Sequence, residues 1–520
     1  MSKLLARIAT PLVPAFLLLV SSAGIPAGPA LIALPLSVDA PDTGTVPAGG
    51  SPACTTPAPA HTYALEHCYT PADIAAAYGI DRFRAAHPGD SAALGAGQTI
   101  VLVDSYGSPT AANDINFFHN TFYPGLPAPN FDEVYPNGQL TFDNTATGNG
   151  LSGPSGAVGW SVEATLDMEW AYAMAPLAHI VMLATNPAET LGVTGLPNMF
   201  KAIRDAIDTY PAGTVFSQSF GLAEQTFGGA APVQTAGFDE TYKHGISKGD
   251  TFVASSGDQG SGGNDKTHKL TGVYPFQVVG YPASSPYNLA VGGTQLMYNW
   301  LWAPTSTDFL IPGSNALNPA FFASTPATGV AAEPVWQEAW LGPGNNTSAG
   351  GKSVVYSSPS WQATQASITG GMRGLPDLSW NAAVNGGVLI YITAFPNGSP
   401  SGSPTGIRPG WHIEGGTSAA SPQIAGLVAV VNAMRAEKGK TPIGDPHAAV
   451  YALGNSQNAS TYYRDVTPGH FGTVGYPLVD NRWITNTPSV PGFPVTAGWD
   501  MTTGFGSPLA DSWIPALVSS

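Results

Sequence analysis

Continuous apolar runs at 99–103, 179–184, 214–220, 251–254, 288–291 and 388–393 alternate along this chain with helical periodicity at 110–120, 161–174, 198–209 and 235–248. Runs that are apolar at every position, not every second one, are what strands covered on both faces require. Separated by helices, they predict an α/β fold with one parallel sheet flanked by helices on both faces, in a single large domain. A long apolar helix is predicted at 418–435. Order is predicted to begin near Tyr69-Thr70-Pro71, with Thr70 as a helix cap and Pro71 at the first helical position. The stretch 300–375, rich in Pro, Gly, Ser and Trp, reads as loops around a cleft.

The amino terminus follows a different pattern. Lys3 and Arg7 precede an apolar run at 12–20, and the small residues Ser21 and Ala23 follow it. That is the layout of a signal peptide, 1–23, and it predicts export to the extracellular space. Pro11, Pro14, Pro26, Pro29 and Pro35 interrupt the apolar character. A spanning helix needs about 20 apolar residues, so a membrane enters the picture only if this segment stays uncleaved. Residues 24–68 form a linker rich in Pro, Ala and Gly, and 69–520 the folded domain. Cys54 and Cys68 are the only cysteines. In an exported chain they predict one local disulfide, and they are too few for a metal site.

Charged residues make up 10% of the chain, the net charge is −16 and the pI is near 4.8. No basic surface is available to neutralise phosphates, so nucleic acid is excluded as a partner. The 62 glycines and 48 prolines favour tight turns, and the chain is expected to act as a monomer.

Candidate chemistry begins at Gly415-Gly416-Thr417-Ser418-Ala419-Ala420-Ser421-Pro422, which leads into the long apolar helix. A serine on a first helical turn sits among unpaired N–H groups at the positive end of the helix dipole. That suits a nucleophile with an oxyanion hole, although a capping serine would give the same fragment. The usual base is histidine. Asp104, ending the run Ile100-Val101-Leu102-Val103, invites a subtilisin-like reading, but no histidine stands in a Gly-rich helix start, so Asp104 is read as capping a turn. Glu163 and Asp167, spaced i, i+4, share one helical face and are close enough to share a proton. Glu169 points elsewhere and is read as a structural or surface carboxylate. Asp258, in Ser255-Ser256-Gly257-Asp258-Gln259-Gly260 after a strand, can reach the crevice outside the strand ends. Kept protonated by burial, it could donate to an oxyanion.

Glu-x-x-x-Asp, then Ser-Gly-Asp, then Gly-Thr-Ser-x-x-x-Pro, in this order from Tyr69 to Pro508, resemble the sedolisins, the serine-carboxyl peptidases. The resemblance implies a subtilisin-like fold with Ser418 as nucleophile, Glu163 as general base, Asp167 as its orienting partner and Asp258 in the oxyanion hole. It also implies one structural Ca2+, held by the side chains of Asp465 and Asp500 and the carbonyls of Val466, Thr496 and Gly498. Thr496 stands where the family usually has glycine. The family's large propeptide is not expected here, since fewer than 70 residues precede Tyr69. The implied activity is that of an acid-active secreted endopeptidase on polypeptide substrates. A tripeptidyl peptidase, or a silent binding module on the same scaffold, are the alternatives.

Overall fold

The computed structural model describes residues 67–138, 157–185, 195–263, 274–303, scattered positions between 305 and 321, 323–338, 346–394, 409–468, 479–482 and 489–520, with the short strand Val38–Asp39. The signal peptide, most of the linker and Cys54 lie outside them, so the pairing of Cys54 with Cys68 stays an expectation. Among the described residues no helix is long and apolar enough to cross a membrane.

The core is a seven-stranded sheet of β1 (Thr99–Ser105), β2 (Asn130–Val134), β3 (His179–Thr185), β4 (Val215–Gln218), β5 (Thr251–Ser255), β6 (Leu289–Thr294) and β7 (Leu378–Asn381). Its order is β7-β6-β5-β4-β1-β3-β2, and every pair is parallel. β1, β4, β5, β6 and β7 are buried at every position, as uninterrupted apolar runs require. The helices that matter for the site are α1 (Ala111–Phe122), α2 (Ala157–Met174), α3 (Leu196–Thr209), α4 (Ala231–Ser247) and α5 (Thr417–Glu437). α2 and α5 pack on each other and on the central strands, while α3 pairs with α4. The predicted cap is present: Thr70 accepts from the Asp73 N–H and Asp73 accepts from the Thr70 N–H.

Three features differ from expectation. The run at 388–393 is a strand, β8 (Gly387–Ile392), but it pairs antiparallel with β9 (Gly410–Glu414) outside the parallel sheet. A two-sided apolar run reads alike in a sheet centre and in a hairpin buried beneath helices. β2 and β7 were not predicted; β2 is a partly exposed edge and β7 is too short to stand out. The stretch 300–375, read as loops, contains the strands Ser324–Ala332, Gly351–Ser357 and Met372–Leu375.

Candidate active site

The sheet order reverses around β1, whose neighbours are β3 and β4. Outside the carboxyl ends of such strands lies the crevice where parallel sheets build their sites. β1 carries Asp104 as its penultimate residue, β4 is followed by Ser219, and β5 leads to Asp258. α2 and α5 bring the remaining groups.

α2 is buried at every position from Trp160 to Met174, which fits its apolar character all round. Glu163 and Asp167 are therefore fully buried. α5 approaches α2 closely at Gly426, where a Cβ would meet the Met174 Cβ at 2.4 Å and the Ala171 carbonyl at 3.1 Å. This contact sets the Ser418 turn over Glu163. Pro422 in the second turn has no N–H to offer the Ser418 carbonyl four residues back.

Carboxyl oxygens of Asp104, Glu163 and Asp167 all lie within 4.8 Å of one another. Burial pushes Glu163 and Asp167 well above the usual carboxyl range, and their mutual repulsion adds to it at Glu163. Asp104 is raised to about 8 by burial and by Glu133. Three buried carboxyls in this space must share protons or hold a cation. The opposing influences are unequal. The Ser418 hydroxyl faces Glu163 and pulls its pKa down, and Ser219 donates to Asp167 at 3.0 Å. Neither side-chain oxygen of Asp104 has a hydrogen-bond partner. Asp104 thus caps no turn, contrary to the expectation; it joins the acid pair. Asp104 is the residue that sequence reasoning set aside, and its place directly after the apolar run Ile100-Val101-Leu102-Val103 was the available signal.

Asp258 accepts the backbone N–H and the hydroxyl of Thr417, each at 2.8 Å, and burial raises it to about 6. It stands at the amino end of α5 beside Ser418 and lines a pocket running past Ser255 and Gly257. Glu169 is buried too, but it accepts the Tyr391 N–H at 2.9 Å and serves β8.

The two carboxyl-terminal loops meet where Asp465 accepts the Gly498 N–H at 2.8 Å. Asp500 is buried and accepts N–H groups of Thr496, Thr502 and Thr503 at 2.8 to 2.9 Å. Burial raises Asp500 to about 7, and no lysine or arginine pairs with it among the described residues. Gly498 has φ +79° with open space beside it. Two carboxylates on facing loops, one buried without a counter-charge, fit a hard cation with oxygen ligands.

A family model described as the subtilase family matches residues 174–443, just over half the chain. That span holds Asp258 and Ser418 but begins after Glu163 and Asp167. Kumamolisin from Bacillus sp. (strain MN-32) is 27% identical over 464 residues, 87% of this chain and 64% of that protein. Sedolisin from Pseudomonas sp. (strain 101) is 29% identical over 318 residues, 61% of this chain and 42% of that protein. The chain thus spans less than two thirds of the length of these curated relatives. A solved structure of Pseudomonas sedolisin, complexed with two molecules of pseudo-iodotyrostatin, superposes with TM-score 0.56 at 25% identity, covering 86% of this chain and 97% of that one. With its all-parallel sheet and a serine and carboxyls gathered at the strand ends, the chain belongs to the subtilase family, in the sedolisin branch of the serine-carboxyl peptidases.

Proposed function

We propose that this chain is an acid-active serine-carboxyl endopeptidase, exported from the cell, that hydrolyses polypeptides through an acyl-enzyme on Ser418. The observation that carries this reading is a serine hydroxyl on the first turn of α5 facing one member of a buried three-carboxyl group. The Ser418 oxygen forms a bond to the scissile carbonyl carbon as its proton passes to Glu163. Collapse of the tetrahedral intermediate breaks the C–N bond, and Glu163 returns the proton to the leaving amine. Water then repeats the sequence on the acyl-enzyme.

The charge distribution suits acid. The hydroxyls of Ser418 and Ser219 favour the anion on Glu163 and Asp167, opposing the burial that raises both, and Asp104, itself raised to about 8, brings a proton that it can donate to the pair. Asp258, raised to about 6, is protonated near pH 4 and can donate to the oxyanion. A histidine of ordinary pKa would be charged there and useless as a base. On the carboxyl-terminal loops, Asp465 and Asp500 with the carbonyls of Val466, Thr496 and Gly498 would hold one Ca2+. That ion would cross-link the loops and take no part in the proton transfers.

The test is digestion of a denatured protein at pH 4 by the parent and by Ser418→Ala. Cleavage by the parent and at least a ~10³-fold loss in the variant are expected. Equal cleavage by both would sink the assignment. Product lengths separate internal cleavage from release of tripeptides.

A further inference from the structure

Beside Asp258 the cleft opens into a pocket lined by Phe220, Leu222, Ala223, Val278 and Val279, with Asp258 its one carboxylate among the described residues. Such a lining accepts an uncharged apolar side chain. One wall is a ladder of only two residues on each side, Leu222–Ala223 against Gly280–Tyr281. So short a ribbon has little stability of its own. The wall also has no slack, because a Cβ at Gly263 would meet Val278 at 2.5 Å.

Both ribbon strands are tied from behind to the same strand, Gly351–Ser357, by buried carboxyls. Glu224, next after Ala223, accepts the Ser353 hydroxyl at 2.6 Å and the Val354 N–H at 2.7 Å. The Tyr281 ring packs with Phe200, Phe227 and Phe238, which carries its hydroxyl back to Asp239 at 3.3 Å. Asp239, buried on α4, also accepts from Ser285 and from Tyr356, each at 2.8 Å. Neither Glu224 nor Asp239 forms an ion pair among the described residues. A buried carboxyl without a counter-ion is costly, and three converging hydroxyls offset that cost only in one arrangement.

We propose that Asp239 is a positioning residue which, together with Glu224, sets the width of this pocket and so its choice among apolar side chains on the acyl side of the cleaved bond. The proposal rests on the peptidase reading. Replacing one of its two acceptor oxygens by an amide N–H releases either Tyr356, held by Oδ2, or Tyr281 and Ser285, held by Oδ1, and the ribbon then drifts from the strand behind it. The group touches no reacting atom, so its effect belongs to binding of the side chain.

The experiment uses the full chain and a series of peptides differing only in Phe, Leu or Ala at that position. In Asp239→Asn the ratio of kcat/KM for the preferred large side chain over Ala falls about tenfold, mainly through KM. Glu224→Gln moves the ratio the same way. Should Asp239→Asn not fold, Tyr281→Phe decides, because it removes one hydroxyl and keeps the ring packing; a shift of about threefold in the same ratio is then expected. A parent that cleaves while the variants lower all three peptides by one common factor overturns the positioning role alone. A parent that cleaves none of them overturns the peptidase reading and this inference with it.

Discussion

At the scale of single residues, the decisive question is where the protons of the acid group reside. Asp104 has no hydrogen-bond donor on either oxygen and is raised to about 8 by burial and Glu133, so in the proposed mechanism it is the neutral acid. Asp104→Asn keeps a donor of the same shape and should lose less than about tenfold in kcat/KM at pH 4. Asp104→Ala, which leaves Asp167 without that donor, should lose about 10²-fold or more. Identical losses in both, read from initial rates, would remove Asp104 from the relay. The other residues of the candidate site were legible because their residue type and setting coincide: a serine after paired glycines, an acid pair at i, i+4 amid tryptophans, an aspartate in a glycine-rich turn. Asp104 was not, since a strand-end aspartate looks the same whether it faces a turn or a neighbouring helix. Only the packing of α2 across β1 decides between them.

At the scale of elements, strands and helices that are apolar throughout were legible, because full burial leaves no polar positions to confuse the period. The partner of each strand was not. β8 has the composition of a sheet-centre strand yet lies in a second, four-stranded sheet, antiparallel to β9 and parallel to Cys68–Tyr69, and pairing is set by contacts far away in the chain. The carboxyl-terminal loops make their own prediction. With Asp500 buried and paired with no lysine or arginine among the described residues, Ca2+ bound as proposed would stabilise the folded chain by mass action. Chelation should lower Tm by several degrees, and Asp500→Asn should abolish that calcium dependence. Thermal scans with and without chelator check it; a Tm indifferent to calcium in the parent counts against the site.

For the whole molecule, buried carboxyls without counter-ions give stability a definite pH dependence. Burial raises Asp258 to about 6, Glu338 to about 7 and, with Glu133, Asp104 to about 8. Unfolded, such groups titrate near 4. The folded state thus binds more protons across pH 4 to 8; this stability is complete below about 4 and is lost as pH rises through the folded values. Asp377 behaves oppositely: burial alone would raise it, but Arg373 at 2.7 Å and His447 hold it far below the ordinary range, so that pair survives acid. The unfolding free energy from urea titration should therefore be higher at pH 4 than at pH 8, by an amount on the order of several kcal/mol; a stability that rises toward neutrality would contradict this. The hydroxyl contact between Ser217 and Ser421, which ties α5 to β4, joins residues 204 apart. Closing so long a loop is slow, and a chain made from its amino end exposes its acids long before its nucleophile. In the proposed peptidase, hydrolytic competence is consequently a late event of folding, and a nascent or half-folded copy would be harmless to itself and to its neighbours.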